Sequence, residues 1–184
     1  MLAYVFWHVR RPGVEAPEYE AAHRAFHDTL WATPVAGLLG LWIHRLAEIP
    51  WLEPRQQGYE DWHLMEGSAA LDILNEAAVT RARQGAHDRV AAMAASGTAG
   101  LYAPRLGAPI KPSMAYWLSK PAGMSYANFY QTLQPLVDTG CCLWGRRMTL
   151  GPTREFCLHA AMAVNLPHPA LALRIETHHR IGSL

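Results

Sequence analysis

Charge is scarce in this chain. Asp, Glu, Lys and Arg make up 17% of its 184 residues, and 16 basic against 15 acidic side chains leave a net charge of +1. There is no block of like charge and no basic stripe, which excludes a nucleic-acid partner; the one Arg10-Arg11 pair punctuates the end of a strand. Long apolar runs are missing too, so no segment is expected to span a membrane. The opening run from Leu2 to Val9 is short, contains His8 and has no basic stretch before it, unlike a signal peptide. Cysteine is limited to Cys141, Cys142 and Cys157, with no C-x-x-C spacing. That excludes a disulfide framework and a cysteine metal site, and reads as small core residues rather than nucleophiles. A reduced, cytoplasmic protein is the expectation. Apolar residues are plentiful at 51%, enough for a real core, and the thin charge suits a surface partly covered by a second copy, a homodimer. Seven tryptophans and ten histidines could line a pocket for a planar, largely apolar small molecule.

The two halves of the chain echo each other. Ala3-Tyr4-Val5-Phe6-Trp7-His8-Val9-Arg10-Arg11-Pro12-Gly13 opens the first, and Met114-Ala115-Tyr116-Trp117-Leu118-Ser119-Lys120-Pro121-Ala122-Gly123 opens the second. Leu41-Trp42-Ile43-His44-Arg45-Leu46 recurs as Leu143-Trp144-Gly145-Arg146-Arg147-Met148. A repeat of this length cannot bury its own apolar face, so the copies should pack on each other as a two-part barrel around a central cavity.

Aromatic and β-branched residues from Leu2 to Arg10 predict a strand, ended by Pro12-Gly13. Pro17 in a first helical turn and Tyr19, Ala22, Phe26 and Leu30 at helical spacing predict a helix, broken at Thr33-Pro34. Strands are expected over Leu38 to Ile49 and Tyr59 to Met65. A long helical segment from Ala69 to Ala95 follows, divided near Gly85 and stopped by Gly97, and then a strand over Ala99 to Leu106. The order is β-α-β-β-α-β, the ferredoxin-like pattern. Lys111-Pro112 reads as the linker, which makes 1–110 the first repeat and 111–184 a second, shortened one. The second repeat runs strand (Met114 to Ser119), helix (Ser125 to Val137), strand (Cys141 to Leu150), a turn at Gly151-Pro152 and strand (Glu155 to Val164). Its second helix is very short or missing, and Glu176 to Ile181 is its last strand. The fold class expected is α+β: two tandem ferredoxin-like repeats packed as an α+β barrel.

Val9-Arg10-Arg11-Pro12-Gly13, Tyr19, Phe26-His27 and Leu30 resemble the opening of the EthD-like family in the dimeric α+β barrel superfamily: a strand ending in a basic-basic-Pro-Gly turn, then a helix with an aromatic and a His near its end. Lys120-Pro121-Ala122-Gly123 and Phe129 resemble the same opening in degenerate form, with Leu133 and Leu136 where the His would fall. The resemblance implies a small-molecule protein. The superfamily includes monooxygenases without a metal, lactone isomerases, polyketide cyclases and dehydratases, and haem-handling relatives, so fold alone does not choose a reaction.

Alternation along strands nominates the chemistry. Tyr4, Phe6, His8 and Arg10 share a face, as do Tyr59, Asp61, His63 and Met65, and as do Gly40, Trp42 and His44. If these faces meet the central cavity, imidazoles, a phenol and a carboxylate converge there. His63 or His8 would then be the base, Asp61 its orienter, Tyr59 a donor to a developing enolate oxygen and His27 a supporting or acid group. Phe6, Trp42, His44 and Trp62 would contact substrate. The opposite parity lines the cavity with Val5, Trp7 and Val9 and puts His8 under a helix. A strand His is more often structural than catalytic, and His27 has its own bland reading as a helix C-terminal cap. His23 and His27 have the i, i+4 spacing of a zinc pair but no HExxH glutamate and no assignable third ligand, and His178 and His179 point opposite ways. Two exposed helix histidines and no metal are expected. The leading expectation is metal-independent acid–base chemistry (cyclisation, isomerisation or dehydration) on a small aromatic or polyketide-like metabolite. The alternatives are a non-catalytic carrier or accessory protein and a haem binder, although no residue marks a proximal haem ligand.

Overall fold

The computed structural model describes residues 1–147 and 153–182, with Arg81 described by its backbone alone. The turn expected at Gly151-Pro152 and the end of the strand expected to reach Leu150 lie outside the described residues. The first half runs β1 (Leu2–Arg10), α1 (Ala16–Ala32), β2 (Leu38–Leu46), β3 (Gly58–Met65), α2 (Ala69–Ala78), a single 3-10 turn, α3 (Gln84–Met93) and β4 (Ala94–Leu106). The second runs β5 (Met114–Leu118), α4 (Tyr126–Asp138), β6 (Cys142–Arg146), β7 (Phe156–Ala160) and β8 (Ala170–Gly182). No helix among the described residues is long and apolar enough to cross a membrane.

The eight strands close into one antiparallel barrel in the order β1-β3-β2-β8-β5-β7-β6-β4. The ferredoxin-like order β4-β1-β3-β2 therefore recurs as β8-β5-β7-β6, and the mixed α+β fold expected from the sequence is what forms. Both opening strands end in the same tight turn. Val14 N–H donates to the Arg11 carbonyl at 3.1 Å and Met124 N–H to the Pro121 carbonyl at 3.2 Å. Gly13 and Gly123 occupy the left-handed region there, at φ 86° and 75°, where a side chain would be strained.

Two strands start well before the periodicity places them, and β2 and β7 stop at Leu46 and Ala160 rather than at Ile49 and Val164. The fourth strand starts at Ala94 rather than Ala99, because β4 pairs with β1 all the way down to Arg10. Gly97 accordingly sits inside a strand instead of stopping a helix. A Cβ there would come within 2.5 Å of the Phe6 ring, so this glycine makes room for Phe6. The last strand begins at Ala170 rather than Glu176, since its first half pairs with β5 and its second half with β2, closing one side of the barrel.

Strand parity decides where everything else goes. The inward side chains of β1 are Ala3, Val5, Trp7 and Val9, and they meet Trp42, Trp62, Tyr102, Trp117 and Trp144 in one core. Trp7, Trp42, Trp62, Trp117 and Trp144 are each 0–1% exposed. They pack edge to face, with Trp7 and Trp117 ring centroids 5.6 Å apart and Trp62 and Trp144 5.1 Å apart. The expected central cavity is thus filled with indoles. One carboxylate shares this interior: buried Glu60 accepts from Trp7 Nε1 at 2.9 Å and pairs with His44 Nδ1 at 3.1 Å. The opposite faces of the strands lie under helices. Tyr19, Ala22, Phe26 and Leu30 of α1, with Leu74 and Val90, cover the first half. Phe129 and Leu133 of α4 cover Tyr116, Leu118, Leu143, Phe156 and Leu158 in the second.

Candidate active site

Between the outer face of the first half's sheet and its helices lies a cavity of about 300 Å³. Its floor is Tyr4, Phe6 and His8 of β1 with Asp61 and His63 of β3; α1 contributes Tyr19, His23, Phe26 and Leu30, and α2 and α3 form the far wall. Strand pairing sets the floor: Phe6 lies opposite Asp61, His8 opposite Tyr59 and Tyr4 opposite His63. Helical spacing sets the wall, since Tyr19, His23 and Phe26 fall on the buried stripe of α1.

Asp61 is the centre. It is 3% exposed, and its Oδ2 accepts from His23 Nε2 at 2.8 Å and from His8 Nε2 at 3.2 Å. The His27 Nε2 approaches the same oxygen at 3.6 Å. On the far side of His8, Nδ1 meets the Tyr19 hydroxyl at 2.6 Å. His27 Nδ1 donates to the His23 carbonyl at 3.0 Å. Asp61 Oδ1, His23 Nδ1, His27 Nε2 and His63 Nδ1 are buried and have no hydrogen-bond partner. Burial works to raise the Asp61 carboxyl, but His23, His8 and His27 around it outweigh that and hold it well below the usual carboxylate range. Burial keeps the His8, His27 and His63 imidazoles below their ordinary value, so they are neutral near pH 7. The Tyr19 and Tyr4 phenols are raised, by burial first and by the Asp61 charge second, and stay protonated.

The structure divides the residues nominated from sequence. His8, Asp61, His63 and Phe6 come together on the cavity floor, and His27 stands just behind Asp61. The opposite parity holds for β1, with Val5, Trp7 and Val9 inside the barrel and His8 beneath a helix. Trp42, His44 and Trp62 point into the barrel and do not reach the cavity, because β2 presents them on its inner face. Tyr59 is beside His8 but its hydroxyl donates to Glu20 Oε1 at 2.9 Å, so it is not available as a donor to substrate. His23 and His27 are not exposed helix histidines. They are 2% and 0% exposed, and the ligand missing from the sequence reading is Asp61, brought across from β3. Tyr19 and His23 are the members that sequence reasoning missed; both sit on the apolar stripe of α1, and a His on such a stripe was the available signal.

The second half shows what this layer looks like without chemistry. Counting from the turn glycines Gly13 and Gly123, His8 corresponds to Leu118, Tyr19 to Phe129 and His23 to Leu133. Strand pairing matches Asp61 to Leu158, Tyr59 to Phe156 and His63 to Ala160. Each of these polar groups has an apolar counterpart, buried in the same place between sheet and helix. The fold closes without a carboxylate here.

No family model matches the chain, and no curated protein is similar to it in sequence. Solved structures do share its fold. A candidate monooxygenase from Fusobacterium nucleatum subsp. nucleatum aligns with TM-score 0.66 over 98% of this chain and 94% of its own, at 9% identity. A candidate monooxygenase from Lactobacillus acidophilus aligns with TM-score 0.60 over 98% and 96%, at 10% identity. These likenesses show the fold alone: an α+β barrel, here with both ferredoxin-like sheets supplied by one chain.

Proposed function

We propose that the chain is an EthD-like enzyme, built as a tandem repeat, that moves a proton on a small, mostly apolar molecule held in the first-half cavity. The contrast between the two halves carries this reading. Burying a carboxylate among imidazoles is expensive, and the fold does without it in the second half. The cost in the first half is explained by a job at the cavity. Aromatic and aliphatic walls with a few polar groups on the floor suit a one- or two-ring substrate bearing a carbonyl.

His63 is the base. It lines the cavity, is neutral, and its buried Nδ1 has no partner. Both nitrogens of His8 are already engaged, by Asp61 and Tyr19, so His8 cannot accept a proton directly. His63 Nδ1 takes the proton from the carbon beside the carbonyl, and the protonated Tyr4 phenol, with its ring 5.7 Å from that of His63, donates a hydrogen bond to the enolate oxygen. Cyclisation, isomerisation or loss of water follows from that enolate according to the substrate.

Proton exchange tests this without knowing the substrate. Aromatic 1,3-dicarbonyl compounds incubated with the protein in D₂O should lose their α-proton signal by NMR, and His63→Ala should slow that by at least about a hundredfold, the low end for a positioned base. Exchange no faster than in buffer across the panel, or unchanged in His63→Ala, refutes the reading.

A further inference from the structure

We infer that His8, His23 and Asp61 form a binding site for one divalent first-row transition-metal ion, open toward the cavity. Their ligating atoms all lie within 4.8 Å of one another, and the two Asp61–imidazole separations are 2.8 and 3.2 Å. Adjacent ligands on an ion with bonds of about 2.1 Å stand about 3 Å apart, so an ion fits with small shifts. Two imidazoles and one carboxylate on one side of an ion leave its other positions free, the donor set of catalytic rather than structural sites. All three residues line the cavity, so those free positions face a bound molecule.

A second observation points the same way. His27 Nδ1 donates to the His23 backbone carbonyl, which turns Nε2 toward the cluster. That buried nitrogen has no hydrogen-bond partner and faces Asp61 Oδ2 at 3.6 Å. A buried, unpartnered imidazole nitrogen aimed at the cluster is a further donor within reach of an ion held there, or of a water on that ion. Among the described residues no lysine or arginine pairs with Asp61; its ion-pair partners are His8, His23 and His27. The support around the ligands is also in place. The Tyr19 hydroxyl can accept from His8 Nδ1–H, which frees His8 Nε2 for the ion, and it can donate instead when no ion is bound. In its use, polarising the carbonyl beside which His63 removes a proton, the ion rests on the proton-transfer reading; its binding does not.

Protein stripped with EDTA and titrated with Co²⁺ should develop visible d–d absorption saturating at one ion per chain, reversed by Zn²⁺. Asp61→Asn and His23→Ala should weaken binding by more than about a hundredfold, and Tyr19→Phe by about tenfold, as for loss of a ligand's support. His179→Ala, outside the cluster, should change nothing. Circular dichroism checks the fold of each variant. Should a ligand variant fail to fold, pulsed EPR of the Cu²⁺-loaded wild type reads the site directly and should show two coordinated imidazoles. No saturable binding, binding that Asp61→Asn and His23→Ala leave intact, or a Cu²⁺ signal without imidazole overturns the inference. Ion binding without His63-dependent exchange sinks the proton-transfer reading alone, and exchange without ion binding sinks the metal site alone.

Discussion

Replacing His8, Tyr19, His23 and Asp61 with the residues that occupy the matching places in the second half should separate what the fold needs from what the cavity needs. The single change Asp61→Leu strips the acceptor from the His8 and His23 N–H groups. Each orphaned donor costs about 1–3 kcal/mol, or about 2–6 together. Burial of the leucine returns about 2 kcal/mol, leaving a net loss of about 0–4. The fourfold variant His8→Leu, Tyr19→Phe, His23→Leu, Asp61→Leu leaves none of these groups behind. Apolar replacement of a whole buried polar cluster is neutral or stabilising by about 1–4 kcal/mol. The fourfold variant should therefore melt above the single one, by about 2–4 °C for each kcal/mol between them in a chain this size. The four changes are coupled, so their separate costs do not add. The assay is thermal unfolding by circular dichroism in EDTA. A fourfold variant no more stable than Asp61→Leu would mean that the imidazole–carboxylate layer holds the fold together and is not there for the cavity.

Two further outcomes follow from single contacts. Gly97→Ala puts a Cβ within 2.5 Å of the Phe6 ring and 3.1 Å of the Trp7 carbonyl, so Phe6 must swing toward the cavity; about 1–3 kcal/mol of stability should go, read by denaturant unfolding, and a melting curve identical to wild type would refute the packing. Glu20 is pushed up by burial, but the Tyr59 hydroxyl, His178 and Arg45 together hold its carboxyl below the ordinary 4.5. A depressed carboxyl stabilises the fold above its unfolded value and loses that contribution as pH falls through the folded one. Wild type should thus exceed Glu20→Gln in stability above pH 4.5, with the gap closing below it, and a gap that widens on acidification would contradict the assignment.

Much of the architecture is legible along the chain because it rests on short-range chemistry. The Pro-Gly turns, the two-residue alternation of β1 and β3 and the apolar stripe of α1 are local, and so is the echo between Trp7 and Trp117. The starts of β4 and β8 are not. Their first residues have no strand pattern of their own and are extended by pairing with β1 and β5. His23 shows the same limit at the level of a site. Alone on a helix it reads as a solvent-facing residue, and only the packing of α1 on β3 sets it 2.8 Å from a carboxylate.

The sequence by itself determined which side chains share a face: Tyr4 with Phe6 and His8, Tyr59 with Asp61 and His63, Trp42 with His44. Covalent geometry makes that unavoidable once the strands form. Which face looks into the barrel is a matter of the whole fold. Five buried indoles claim the interior, since that is where the most apolar area leaves water, and the imidazoles and Asp61 are left on the other side of the sheet. Three helices then enclose them, and that enclosure makes a cavity of a surface.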